Sequence, residues 1–153
     1  MMVDRTFVTE NDAQRQRLRT LVARLSDQEL SRPLPAGWTV AGVLGHLAFW
    51  DQRILVLLER WQKDGAAAVP QALNPADVDW INDATKPLLL GLPGRRAAEL
   101  AVAIAEAADG KVAELGETFL SRNAAAGNPV NLVRAQHRRE HLDEIEAALG
   151  LRW

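Results

Sequence analysis

From Thr39 to Gly65 the chain reads as one long helix, and this segment constrains the fold more than any other. Thr39 is a good N-cap and Gly65 a natural stop. Val40, Val43, Leu44, Leu47, Ile54, Leu55, Leu58 and Trp61 recur at helical spacing and form one inward stripe. A stripe of this length calls for partner helices. His46 and Trp50 lie beside it. Gly42 and Gly45 each cost a helix about 1 kcal/mol relative to Ala. Their presence points to close approach by another helix or by the preceding loop, with a ligand against the backbone as the alternative.

The rest of the chain supplies those partners. A first helix is predicted from about Asp12 to Leu25, with Leu18, Leu21, Val22 and Leu25 at helical spacing. Ser26-Asp27-Gln28-Glu29 has the pattern of a capping box and predicts one further turn to Leu30. Pro33, Pro35 and Gly37 mark a loop. Asn74-Pro75 reads as a cap followed by proline at the first helical position, predicting a helix to about Leu89 that kinks or stops near Lys86 because of Pro87. An alanine-rich helix is expected from Arg95 to Leu115. Residues 116–127 read as less regular. A last helix is expected from Pro129 to Leu149, stopped by Gly150. No segment alternates with period two, and no repeat of fixed period is present. The fold class is all-α, with four substantial helices and a shorter accessory helix. At 153 residues this is one domain, 1–153.

Composition removes several chemistries. The chain has no cysteine, which excludes disulfides, thiolate metal sites and cysteine nucleophiles. With 18 Lys+Arg against 20 Asp+Glu, nothing favours nucleic acid or an anionic membrane as a partner. The N-terminal stretch has no apolar run of signal-peptide length, and charges interrupt the longest apolar stretches well before a bilayer could be spanned. A cytoplasmic location is the default expectation.

The three histidines carry the functional signal. His137 and His141 are four apart on the last helix, so they share a face with Cβ atoms about 5–6 Å apart. That face also carries Val130, Val133, Ile145, Ala148 and Leu149, which predicts that both rings point inward. His46 sits on another helix at the margin of its inward stripe. Facing helices of a bundle can bring three such rings together, and three imidazoles with open positions suit a catalytic Zn²⁺, Ni²⁺ or Fe²⁺. Ordinary core histidines, satisfied by hydrogen bonds, are the alternative. Against it stands the cost of collecting polar rings in an apolar core.

Two motifs resemble a known family. Trp38-Thr39-Val40-Ala41-Gly42-Val43-Leu44-Gly45-His46-Leu47, followed by Trp50-Asp51, is similar to the second-helix motif of the DinB/YfiT-like superfamily. His137-Arg138-Arg139-Glu140-His141 is similar to that family's final H-x-x-x-H. The resemblance implies a four-helix bundle of up-down-down-up topology and a metal held by His46, His137 and His141. It also implies a homodimer, for which the Ala-rich helix faces would offer packing surfaces. Better understood members are mycothiol-dependent maleylpyruvate isomerases and S-transferases using bacillithiol or mycothiol. They imply a divalent metal that activates a low-molecular-weight thiol toward a small electrophilic substrate. The short single-domain form inclines toward the damage-response branch, for which a non-enzymatic bundle binding a metal or a small toxic ligand is the alternative function.

Other residues near these motifs are candidates. Arg53 and Arg134 could hold a carboxylate of a thiol cofactor or substrate, or could form interhelical ion pairs with Asp51. Trp50 would wall the pocket. Glu144 could orient His141, or face solvent. Trp80, Asn82 and Asp83 could close the mouth of the site. The stretch His137 to His141 also matches H-x-x-E-H, with Glu140 as base, but only twelve residues follow it, and that protease class needs a downstream ligand in a mixed α/β domain.

Overall fold

The computed structural model describes residues 3–151. It is all-α: α1 (Thr6–Arg24), α2 (Asp27–Leu30), α3 (Val40–Asp64), α4 (Pro75–Leu90), α5 (Gly94–Ala113), α6 (Glu117–Ala125) and α7 (Ala135–Leu149), with short 3₁₀ turns at Pro35–Gly37 and Ala66–Ala68. No strand occurs among the described residues; the one extended pairing is an isolated bridge between Pro33 and Thr39.

The local signals act as expected at several ends. Thr39 Oγ1 accepts the Gly42 N–H at 3.0 Å. Ser26 and Glu29 form the reciprocal capping box before α2. Asn74 Oδ1 accepts from Asp77 N at 2.8 Å. On α3, Leu57 rather than Leu55 completes the buried stripe. α1 begins six residues before Asp12, because Phe7 is drawn into the core and the Asp4 carboxylate accepts the Thr6 N–H.

Three elements depart from expectation. α4 continues through Pro87 to Leu90. Its final turn is held by packing, since Leu89 and Leu90 reach over Gly45 and Gly42. Residues 117–125, expected to be irregular, form α6, which buries Leu120 and Asn123. The last helix starts at Ala135, not Pro129. Asn128 takes a positive φ of 55°, and Asn123 binds both backbone groups of Val130, which turns the chain there. The α7 N-terminus is capped from a distant helix, with Asn11 Oδ1 accepting from Arg134 N at 2.8 Å and Ala135 N at 2.9 Å.

Packing gives the elements their places. The start of α1 lies beside the end of α5, where Arg5 donates to Ala113 O and Leu115 O at 2.7 Å each. The end of α1 lies beside the start of α5, where Arg95 donates to Leu25 O at 2.7 Å. α1 and α7 are joined near both starts by Asn11 and farther along by Arg17, which pairs with Glu146 at 2.7 Å. α3 and α5 adjoin near their starts at Gly45 and Ala97. Near their ends, Trp61, Val112 and Leu115 share one cluster.

Ala97, Ala98, Ala101, Ala105 and Ala108 of α5 are fully buried. The alanine stripe that offered a surface for a second copy is therefore used inside the fold. α3 is long and apolar enough to cross a membrane by length and composition alone, yet 67% of that window is buried among the other helices.

The glycines of α3 separate two packing situations. A Cβ on Gly42 would stand 2.8 Å from Leu90 Cδ2 and 3.1 Å from Thr39 Oγ1, whereas one on Gly45 would meet nothing closer than 3.4 Å. Gly45→Ala should therefore gain about 0.5–1 kcal/mol from helix propensity. Gly42→Val should lose about 1–3 kcal/mol by overpacking. Urea denaturation of the two variants checks this, and the reverse order of stabilities would contradict it.

The apolar core is divided in two. One cluster contains Leu18, Leu21, Leu44, Leu47, Leu142 and Ile145. The other contains Phe7, Ile54, Leu58, Trp61, Val112 and Val130. Between them α1, α3, α5 and α7 each contribute a polar residue: Asn11, Asp51, Asp109 and Arg138, all buried. The histidines lie alongside this charged layer.

Candidate metal centre

Helical spacing places His137 and His141 on one side of α7, and α3 brings His46 opposite them. The ring centroids of His46, His137 and His141 are 4.9, 4.9 and 4.8 Å apart, nearly an equilateral triangle. One nitrogen from each ring falls within 4.8 Å of the others. His46 Nε2 and His137 Nε2 face each other at 2.9 Å. Trp38 and Trp50 flank His46, with ring centroids at 5.6 and 6.5 Å.

The rings are less central than the sequence face implies. Val130 and Val133 precede α7, Val133 and Ala148 are exposed, and the inward line of α7 is Arg138, Leu142 and Ile145. His137 and His141 occupy its shoulder and are partly exposed, while His46 is buried.

The charged layer lies directly behind them. Arg138, 1% exposed, holds Asp109 with two hydrogen bonds of 2.7 Å and reaches Asp51 Oδ2 at 3.1 Å. Arg134 Nε donates to Asp51 Oδ1 at 2.8 Å. Arg15 pairs with Asp109 at 2.7 Å. Burial works against the Arg138 charge, but the hydrogen bonds to Asp109 and the two carboxylates outweigh it and raise its pKa. Asp109, Arg138 and Asn11 were not singled out from the sequence. An arginine one step from a histidine pair reads as surface charge until its partners on other helices are known.

Burial lowers the pKa of His46 to about 4, with the His141 charge adding to the effect. His137 is lowered to about 2 by burial, then by His46, His141, Arg134 and Arg138. Burial lowers His141 as well, opposed by Glu144 and Glu140. The centre thus favours neutral imidazoles, the form a cation needs.

Their folded pKa values lie below the unfolded value of about 6.5, so the unfolded chain binds more protons in between. Stability supplied by neutral His46 and His137 is present above about pH 6.5 and falls as the pH drops toward 4. Urea denaturation of metal-free protein at pH 7 and pH 5 should show a larger loss for wild type than for His46→Gln/His137→Gln. Equal losses would contradict the assignment.

The donor set fits a divalent ion. Two of the three nitrogens already converge, and facing Nε2 atoms without an ion can share only a single proton between them. His46 Nδ1 and His141 Nδ1 are buried without a hydrogen-bond partner, a cost the fold bears at this cluster. Glu144 Oε2 stands 3.6 Å from His141 Nδ1, close enough to orient the ring electrostatically but beyond a hydrogen bond.

Two cavities meet at the triad. The first, of about 480 Å³, is walled by His46, Trp50, Arg53, Arg134 and His137, with Glu140 at its edge. The second, of about 610 Å³, is walled by Trp38, His46, His137, His141, Asp83 and Glu144. Asn82 lines both and accepts from Trp50 Nε1 at 2.9 Å, joining α4 to α3. Asp83 faces only the second cavity, and Trp80 lies outside both at 60% exposure. Of the two arginines foreseen near the site, Arg134 makes the interhelical ion pair and Arg53 does not.

A family model for the mycothiol maleylpyruvate isomerase N-terminal domain matches residues 12–144, a span that contains all three histidines. The chain belongs to this family. It is a DinB-like family, in keeping with the motifs around His46 and His141. No curated protein and no solved structure matches the chain. Within the family frame, the matched region runs from α1 to α7 and takes in the triad and both cavities.

Proposed function

We propose that this member of the family is a metal-dependent enzyme, with His46, His137 and His141 holding Zn²⁺, Ni²⁺ or Fe²⁺. Its substrates would be a low-molecular-weight thiol such as mycothiol, or water, and a small electrophile that is isomerised or receives the nucleophile. The observation that carries this reading is the triangle of neutral imidazoles where two cavities meet. A divalent ion bound there would lower the pKa of the nucleophile and present it as an anion.

The chain's own residues do the remaining work. Trp38 and Trp50 exclude water from the His46 side. Asp51 fixes Arg134, and Asp109 fixes Arg138, so the α7 turn that carries His137 cannot slide. Arg53, Arg134 and Trp50 meet the thiol cofactor or substrate in the first cavity. The same reading treats residues 1–153 as one domain, with α1, α3, α5 and α7 as an up-down-down-up bundle and α4 as the accessory helix; the end-to-end contacts above support that order. A homodimer belongs to it as well, with exposed Trp80 and Leu88 of α4 as the available apolar surface.

The test is turnover of an electrophile such as maleylpyruvate with mycothiol by metal-loaded protein. We expect product with wild type and loss of at least a hundredfold in His46→Ala. Undiminished turnover in that variant would overturn the mechanism. Metal and ligand binding without turnover would favour the non-enzymatic bundle instead.

A further inference from the structure

Arg53 is the unspent charge of the site. It lies on α3 two turns past His46, half-buried in the wall of the first cavity, with its guanidinium 5.8 Å from the centroid of the Trp50 ring. It forms no hydrogen bond or ion pair with any described residue. Desolvation, and then the charge of Arg134, lower its pKa. Arg134 is the less available of the two, because Nε is bound to Asp51 and NH1 leans toward Asn131 O at 3.4 Å. Glu140, the carboxylate at the cavity edge, is exposed and accepts from Gln136 at 3.3 Å. The apolar part of the same lining is Ile54, Leu73, Val78 and Pro129.

The second cavity has the opposite bias. Asp83 and Glu144 line it, and its cation, Lys86, donates to Ala36 O and lies 5.2 Å from the centroid of the Trp38 ring. The triad therefore stands between a lobe with a free guanidinium beside apolar side chains and a lobe lined by the Asp83 and Glu144 carboxylates.

We propose that the two lobes hold different molecules, and that the Arg53 lobe takes a small carboxylate with an apolar body. A guanidinium without a partner can donate two parallel hydrogen bonds to a carboxylate, and the Trp50 ring and the aliphatic side chains take the body. This deepens the function proposed above and rests on it for the chemistry; the binding itself needs only Arg53, Trp50 and the wall. The other reactant enters through the lobe of Asp83 and Glu144.

The experiment is a titration of full-length protein, stripped of metal by chelator and then dialysed, with benzoate and with its neutral isostere benzamide. Indole signals report binding, Trp50 being in the wall. Benzoate should bind at least tenfold more tightly than benzamide. Arg53→Met should abolish the difference at an unchanged melting temperature, and Arg53→Lys should keep part of it. Equal affinity for the two ligands, no benzoate binding at 10 mM or so, or wild-type benzoate affinity in Arg53→Met would each overturn the proposal. Metal content of the same variants is measured separately. Failure of the triad to bind metal sinks the metal mechanism and leaves the benzoate discrimination standing; loss of discrimination with metal intact does the reverse.

Discussion

Arg138→Met should lower the stability of the protein by about 3–5 kcal/mol, the cost typical of removing one partner from a buried charge pair. Arg138 is 1% exposed and is the only described side chain that bridges Asp51 of α3 and Asp109 of α5. Methionine fills much of the space but leaves two carboxylates buried, one facing Arg134 and the other facing Arg15 alone. In a domain of this size such a loss corresponds to a fall in melting temperature on the order of 10 °C. A double-mutant cycle gives the sharper measurement. Asp109→Asn alone should be destabilising for the mirror-image reason, and the pair Arg138→Met with Asp109→Asn should cost clearly less than the sum of the singles. Additive losses would show that the two groups do not depend on each other, and a change below about 1 kcal/mol for Arg138→Met would remove the charged layer from any role in stability.

Divalent metal should stabilise the wild-type protein strongly and the triad variants hardly at all. Binding to the folded state alone adds about 4 kcal/mol at a thousandfold excess of ligand over Kd, which again is a shift on the order of 10 °C. His137→Ala should retain its fold, since His137 lies on the partly exposed shoulder of α7, but should lose the metal-dependent shift. His46→Ala should do the same. Scanning wild type and both variants with Zn²⁺, Ni²⁺ and Fe²⁺ at pH 7.5 checks this, and metal analysis after dialysis gives the stoichiometry. One ion per chain in wild type and none in the variants is expected. An unchanged melting temperature for wild type with all three ions would overturn the metal centre. The shift should shrink as the pH falls, because protons compete for the same nitrogens.

These two experiments address neighbouring layers of one design. The charged layer fixes α7 against α1, α3 and α5, and α7 presents His137 and His141 from that fixed position. Arg138→Met is therefore expected to weaken metal binding as well as the fold, although Arg138 touches no ligand nitrogen.

Much of this was legible in the sequence. The period of the apolar residues between Val40 and Trp61, with Thr39 and Gly65 at the ends, determined α3 to within a residue. The capping residues Ser26 and Asn74 located two more helix starts. The four-residue spacing of His137 and His141 placed two rings on one side of a helix by local geometry alone. Such features depend on neighbours in the chain, and the chain states its neighbours.

What required the tertiary structure depends on residues far apart. The start of α7 is set by Asn11, more than a hundred residues away, and by Asn123 turning the chain at Val130, so the local Asn128-Pro129 signal lost to distant hydrogen bonds. α4 survives Pro87 because Leu89 and Leu90 pack on two glycines of α3. Arg134 and Arg53 look alike in the sequence, and only the position of Asp51 made one an ion-pair partner and left the other free. The meeting of His46 with the other two rings is of the same kind. Helical period gives the side of a helix on which a residue lies, but the partner across the gap is chosen by packing, and packing is a property of all the helices at once.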